Sequence, residues 1–367
     1  MNLLEEKPTI LIVDDTPGNI EVLSSTLRPA YHVRAAKNGI RALAIAQETP
    51  PPDLILLDIM MPEMDGYEAC AQLKADIKTA HIPVIFITAL STEGDEEKGL
   101  ALGAVDYITK PFKPALVQAR VRNQLELKQH RDNLEELVQE RTKELMLTQE
   151  ATVEAMGALA EYRDPETGGH IKRTQNYMKL LAESLKDHPH FRDYLNKETI
   201  RLLYLCAPLH DIGKVGISDS ILCKPASLTD QEFVMMKQHT LFGSNTLRIA
   251  EKKMGGNSFL SLAREIAEFH HEHWDGTGYP HGIAGSAIPI CGRLMAVADV
   301  YDALISKRVY KPPFPHSKAV EIILQGKGTQ FDPDIVDAFE SCTEEFLQIA
   351  LKYADHQEEI TTLSSGL

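Results

Sequence analysis

Apolar residues follow two regimes along the 367-residue chain. Up to about residue 125 they come in short runs: Thr9 to Val13, Leu54 to Leu57 and Val84 to Ile87, with a run broken by Asp106 over Val105 to Ile108 and a shorter one around His32 and Val33. Runs this short and this apolar predict strands buried on both faces. Between them the apolar spacing turns helical, over Ile20 to Leu27, about Gly39 to Gln47, Gly66 to Lys74 and about Glu96 to Leu102; a last helix starts near Pro114. Five alternations of strand and helix predict an α/β domain over residues 1–125, a doubly wound five-stranded parallel sheet.

From Leu116 to Thr152 there is no glycine or proline, and apolar residues recur at Leu127, Leu134, Val138 and Leu145. This predicts a long connecting helix over residues 115–155 with a short coiled-coil seam, interrupted by Arg131 and Arg141. The expected consequence is a homodimer whose connecting helix couples the two ends of the chain. Beyond it the strand runs disappear. Helical spacing covers Glu150 to Arg163, His170 to Leu185, Lys197 to His210, Asp230 to Leu247, Phe259 to His271, Arg293 to Ile305 and Ser317 to Gln325. The prediction is an all-α domain over residues 150–350, followed by a tail at 351–367.

Composition narrows the picture by exclusion. A net charge of -15 argues against binding nucleic acid through a basic surface. No apolar run approaches the ~18 residues of a membrane span, and the acidic start of the chain is no secretory signal. The expected location is the cytoplasm. Cys70, Cys206, Cys223, Cys291 and Cys342 are odd in number and widely spaced, as free thiols would be.

Candidate chemistry sits in two places. In a parallel sheet the functional crevice lies at the carboxyl ends of the strands, where this reading puts Asp14, Asp15, Asp58, Thr88 and Lys110. Three carboxylates in one crevice call for a hard cation, Mg²⁺ being the expected one. One of them can then take a phosphoryl group, whose oxygens Thr88 and Lys110 would contact. The second place is richer in imidazole: His170, His210-Asp211, His239, His270-His271 and Asp299 stand at or near helix ends. A carboxylate such as Asp211 can bridge two cations through its two oxygens. Paired cations lower the pKa of water enough to make a nucleophile near neutral pH. Mixed imidazole and carboxylate donors suit Fe, Mn, Ni or Zn, and spacing does not choose among them.

Residues 8–125 resemble a response-regulator receiver domain, on Asp14-Asp15, Asp58 within Leu-Asp-Ile-Met-Met-Pro, Thr88 within Ile-Thr-Ala, and Lys110-Pro111-Phe112. The resemblance implies that Asp58 is the phosphoacceptor, supplied by a sensor histidine kinase. It also implies that the carbonyl of Met60 joins Asp14, Asp15 and Asp58 around Mg²⁺. Tyr107 would be the aromatic switch partner of Thr88, and the Lys110–Pro111 bond would be cis.

Residues of about 150–345 resemble the HD superfamily of metal-dependent phosphohydrolases, more narrowly its HD-GYP family. The motifs are Arg163-Asp-Pro-Glu-Thr-Gly-Gly-His170, His210-Asp-Ile-Gly-Lys214, Met236-Lys-Gln-His239, His270-His-Glu-His-Trp-Asp-Gly-Thr-Gly-Tyr-Pro280 and Ala298-Asp-Val-Tyr-Asp-Ala-Leu304. The implied reaction is hydrolysis of cyclic di-GMP to linear pGpG, with a further step to GMP open. By resemblance His170, His210, Asp211 and Asp299 hold one metal, and Asp211, His239, His270 and His271 a second. Glu166 would serve a third where one is present. Lys214, Arg308 and Lys311 would hold phosphate oxygens. Tyr279 would line the substrate side of a loop that is also a candidate contact for diguanylate cyclase domains. Pro208 departs from an uninterrupted helix two residues before His210. Two other readings fit the residues: a cyclic di-GMP sensor or scaffold with a slow or inactive site, and an HD phosphohydrolase acting on another nucleotide.

Overall fold

The computed structural model describes residues 7–89, 93–162, 168–256, 258–307 and 313–364. The chain divides into two compact units, Met1–Lys143 and Glu144–Leu367. In the first, strands and helices alternate as β1 Thr9–Val13, α1 Pro17–Leu27, β2 His32–Ala36, α2 Gly39–Ala46, β3 Leu54–Asp58, α3 Gly66–Ala75, β4 Val84–Thr88, α4 Glu93–Ala101, β5 Asp106–Thr109 and α5 Pro114–Glu161. The sheet is wholly parallel, in the order β2-β1-β3-β4-β5. The three inner strands are buried on both faces apart from Thr9, which explains their unbroken apolar runs. Alternate residues feed two cores. Leu11, Val13, Ile55 and Leu57 pack with α2 and α3 residues; Ile10, Ile12, Leu54 and Leu56 pack with Leu23, Leu27 and Val117.

The connecting helix and the first helix of the all-α domain, predicted over overlapping residues, are one helix. α5 runs for 48 residues, because nothing in the segment stops it. Gly157 sits where the helix meets Pro208; a Cβ there would lie 2.8 Å from the Pro208 carbonyl oxygen. The seam positions Leu127, Leu134, Val138 and Leu145 are exposed in the single chain.

The second unit continues with α6 Gly168–Leu185, α7 Lys197–Cys206, α8 Asp219–Leu222, α9 Asp230–Lys237, α10 His239–Lys253, α11 Ser258–Phe269, α12 Ile290–Ile305, α13 His316–Gln325, α14 Pro333–Ser341, α15 Thr343–Lys352 and α16 Gln357–Ser364. Its core holds an aromatic cluster. Tyr177 stacks on Phe346 at 4.4 Å, and Tyr301 stands edge-on to Tyr177, Phe339 and Phe346. This fixes α6 against α12, α14 and α15. No described helix is long and apolar enough to cross a membrane.

Two further expectations differ from the fold. The helix predicted over Asp230 to Leu247 is two helices, α9 and α10, meeting at Gln238. His239 Nδ1 takes the Met236 carbonyl at 2.8 Å and Thr240 Oγ1 takes that of Lys237 at 3.0 Å, so side chains use acceptors that a continuous helix would need. The segment expected as a tail belongs to the domain as far as it is described. Leu363 is buried, Asp355 pairs with buried Arg173, and Glu359 accepts from the Lys307 and Asp355 amides.

Candidate metal and phosphoacceptor sites

The helical unit delivers its histidines where helices stop. α7 ends at Cys206, since Pro208 has no N–H to continue it, and the backbone tightens into a 3-10 turn over Ala207–Leu209. That turn presents His210 and Asp211. A second 3-10 turn, Ile212–Gly216, folds Lys214 back so that its Nζ lies 2.8 Å from Asp211 Oδ2. Gly213 lets α10 start against this turn, since a Cβ would sit 1.8 Å from the His239 carbonyl oxygen. α11 ends just before His270 and His271.

The ligand-type atoms form two groups, each within 4.8 Å: Asp211, His239, His270 and His271, and Glu161, His170 and His210. Asp211 stands between them. Its Oδ1 is 3.2 Å from His239 Nε2 and 3.7 Å from His270 Nε2, while its Oδ2 is 3.1 Å from His210 Nε2. In the second group His170 Nε2 lies 3.4 Å from His210 Nε2 and 3.6 Å from Glu161 Oε1. Asp299 approaches at the edge, Oδ1 3.8 Å from His210 Nε2.

The outward ring nitrogens explain why the inward ones face each other. His210 Nδ1 donates to Ala207 O at 2.9 Å, His239 Nδ1 to Met236 O at 2.8 Å and His270 Nδ1 to Ile266 O at 3.0 Å. A carbonyl only accepts, so each Nδ1 carries the proton and each Nε2 keeps a lone pair toward the centre. His170 Nδ1 donates instead to Asp302 Oδ2 at 2.8 Å. Asp302 is buried and also holds Arg173, at 2.6 Å to Nε and 3.0 Å to Nη2.

Electrostatics keep the set ready to coordinate. Burial pushes His239 down to about 4 and His271 well below the ordinary imidazole value. Burial alone would raise Asp211, but Lys214 and His210 outweigh it and hold the carboxyl well below the usual range. His210 goes the other way: burial lowers it, and the Asp211 charge more than restores it. Asp211 Oδ1, His239 Nε2 and His270 Nε2 are buried and make no hydrogen bond. Buried lone pairs left this way are costly, and a divalent transition metal would satisfy all three. The donor set therefore fits metal ions.

The loop after α11 closes one side. Tyr279 N donates to His271 O, and the Tyr279 ring lies 4.7 Å from that of His271. Burial pushes the Tyr279 phenol up.

In the first unit Lys110 Nζ joins two carboxylates, 3.0 Å from Asp14 Oδ2 and 3.0 Å from Asp58 Oδ1. Asp14, Asp15 and Asp58 offer oxygens within 4.8 Å of one another. Burial raises the Asp58 carboxyl despite Lys110. Gly66 opens α3 so close to β3 that a Cβ would lie 2.3 Å from the Asp58 carbonyl oxygen. Thr88 ends the neighbouring strand, opposite Thr109. Tyr107 is half-buried beneath Arg120, 5.1 Å from its ring. The Met60 side chain is exposed, and the Lys110–Pro111 bond is cis.

Comparison with known proteins adds independent findings. The family model for the response regulator receiver domain matches residues 10–122, and that for the HD domain matches residues 154–335. A probable cyclic di-GMP phosphodiesterase of Vibrio cholerae is 48% identical over 98% of this chain and 83% of its own. The chain belongs to the family of response regulators with an HD-domain output. Within that family, the cyclic di-GMP phosphodiesterase response regulator RpfG of Xanthomonas campestris is 36% identical over 90% of this chain and 86% of its own. A 3'3'-cGAMP-specific phosphodiesterase 2 of Vibrio cholerae is 37% identical over 58% of this chain and 38% of its own.

In this HD-domain response regulator the residues singled out from sequence fall into three sets. His170, His210, Asp211, His239, His270, His271 and Lys214 come together, with Asp299 and Tyr279 at the margins. Glu166, Arg308 and Lys311 lie outside the described residues. Two buried carboxylates were missed, Glu161 and Asp302. Asp302 stands three residues after Asp299 in the same quoted motif, so helical spacing was the signal that would have found it. Glu161 carries no such signal, because only folding brings the end of α5 to His170.

Proposed function

We propose that this response regulator hydrolyses cyclic di-GMP to linear pGpG at a metal centre in its HD domain, under control of phosphorylation at Asp58. The single observation that carries the hydrolase reading is Asp211, whose two oxygens face two separate groups of inward imidazoles. The relatives' names support the substrate. His170, His210, Asp211 and Asp299 would hold one metal, and Asp211, His239, His270 and His271 the other, drawn from Fe, Mn, Ni or Zn. When bound, the ions supply Lewis acidity and an activated water.

The chain's own residues do the rest. Carbonyls behind His210, His239 and His270 and the carboxylate behind His170 fix each ring's tautomer and orientation. Lys214 keeps Asp211 ionised and stands where negative charge builds on a phosphate oxygen. Water adds to phosphorus, the P–O3′ bond breaks, and the 3′ oxygen leaves with a proton as a hydroxyl. Arg308 and Lys311 are further candidate phosphate contacts, and Glu166 a candidate for a third metal.

In the receiver, Asp14, Asp15, Asp58 and the Met60 carbonyl would hold Mg²⁺. Asp58 would take the phosphoryl group from a sensor histidine kinase. Lys110 and Thr88 would contact that group, and Tyr107 would respond. The exposed seam of α5 supports a homodimer, and the Gly-Tyr-Pro loop is a candidate contact for diguanylate cyclase domains. The test is turnover of cyclic di-GMP by anaerobically purified, metal-loaded protein, with and without acetyl phosphate, and beside 3′3′-cGAMP. Hydrolysis lost in Asp211→Asn supports the reading. Tight nucleotide binding without turnover would make the protein a sensor, and preference for 3′3′-cGAMP would replace the substrate.

A further inference from the structure

α9 is a short helix none of whose residues is buried, standing directly before metal-site residue His239. It is nevertheless well fixed. Thr229 and Glu232 form a capping box, and Lys224 Nζ binds Glu232 Oε2 at 2.5 Å. Phe233 and Lys237, one turn apart, share a face. Lys237 Nζ lies 4.7 Å from the centre of the Phe233 ring and 5.1 Å from that of Tyr279. Phe233 and Tyr279 meet edge to face at 6.2 Å, and Tyr279 leans on His271 at 4.7 Å. Aromatic groups thus run outward from the metal site through His271 and Tyr279 to Phe233, with an ammonium beside the last two.

Two features of this rim stand out beyond these contacts. The Lys237 ammonium has no carboxylate or hydrogen-bond acceptor among the described residues, and its only close neighbours there are the two aromatic faces. Phe233 keeps 44% of its surface exposed, although an isolated aromatic ring gains by burial. A cation and a flat apolar face side by side match a nucleotide, which offers a phosphate to the first and a purine face to the second. The proposed substrate has two of each. One phosphate is cut at the metal centre, which leaves a second phosphate and its guanines to be held at a distance from it.

We propose that α9 is the outer wall of the substrate site: Lys237 holds the phosphate that is not being cut, and Phe233 stacks a guanine. This deepens the cyclic di-GMP reading above and rests on it. The experiment uses full-length metal-loaded protein and the substitutions Lys237→Met, Lys237→Arg, Phe233→Ala and Phe233→Trp. KM and kcat for cyclic di-GMP are set beside kcat/KM for bis(p-nitrophenyl) phosphate, which has one phosphate and no purine. Affinity for cyclic di-GMP is measured by calorimetry, and metal content by elemental analysis.

The expected result is a KM for cyclic di-GMP raised roughly tenfold or more in Lys237→Met and roughly five- to hundredfold in Phe233→Ala. kcat should fall far less, and Lys237→Arg and Phe233→Trp should restore most of the loss. The preference for cyclic di-GMP over the one-phosphate ester should drop by the same factors, with metal content unchanged. KM and calorimetric affinity within twofold of the parent in both Lys237→Met and Phe233→Ala would overturn the inference. So would equal losses on both esters, or lost metal, which would mean that α9 only supports His239. If the parent binds but does not cut cyclic di-GMP, the hydrolase reading fails while the calorimetry still decides this one.

Discussion

Asp302→Asn gives the most informative perturbation of the metal site, because it touches no inward-facing donor. Asp302 is 1% exposed and Arg173 2% exposed. The carboxylate takes two guanidinium contacts, the His170 Nδ1 proton and, at 3.2 Å, the Ser306 hydroxyl. Burial would raise this carboxyl, but Arg173 and the His170 hydrogen bond outweigh it and hold it well below the usual range. An amide keeps the shape, loses the charge and turns one N–H₂ toward a donor. Breaking one side of a buried ion pair costs roughly 3–5 kcal/mol. Asp355 still faces Arg173 Nη1 at 3.0 Å and is partly exposed, so the lower end, about 3 kcal/mol, is expected. Trp274 is the only tryptophan and belongs to the helical unit, so its fluorescence follows that unit through guanidinium denaturation of the whole chain. Metal affinity should also fall, roughly 10- to 100-fold, because His170 loses the group that orients it. The double variant Arg173→Met/Asp302→Leu should recover much of the stability without the metal affinity, since an apolar pair replaces a buried ionic one at little cost. A loss under about 1 kcal/mol in Asp302→Asn, with metal affinity unchanged, would refute the claim that this carboxylate supports His170.

Gly213→Ala should destabilise the helical unit by roughly 1–3 kcal/mol and lower metal content, because its Cβ collides with the His239 carbonyl; fluorescence melts and elemental analysis check both. Chelation should lower the melting temperature in Asp211-intact protein, since the ions bind the folded state and not the unfolded chain; an unchanged melt in Asp211→Asn is the matching control. Asp58→Ala should abolish labelling by acetyl phosphate, and labelling at the parental level would exclude Asp58 as acceptor. The Glu232 carboxyl is held down to about 2, first by Lys224 and then by Thr229. Its support of α9 is therefore complete above the ordinary glutamate value of about 4.3 and is lost as pH falls toward 2. Amide protection at Phe233, measured by hydrogen exchange against Glu232→Gln, should show that loss only in the parent.

Much of this protein is set locally. The inner strands announce themselves because both faces of the sheet are covered, so every position in Leu54 to Leu57 has to be apolar. The carboxylate crevice proposed to accept phosphate follows from parallel topology, which sends the residue at the end of each strand to the same edge. His210-Asp211 and His270-His271 are legible as donor pairs because chemistry needs those side chains whatever surrounds them. Other features depend on partners distant in the chain. The split at Gln238 arises when His239 and Thr240 turn to carbonyls of the preceding turn, and the sequence alone reads as one helix. Asp302 looks like any helical acid until α6 brings His170 and Arg173 against it, 132 and 129 residues away. Glu161 lies in a stretch the sequence reads as helix, but only folding sets it beside His170, and residues 353–364 become part of the domain because Asp355 pairs with Arg173. Which donors exist is determined by sequence alone, since that is a matter of side-chain type. Only the fold decided which lone pairs face inward, since that depends on which carbonyl or carboxylate stands behind each ring.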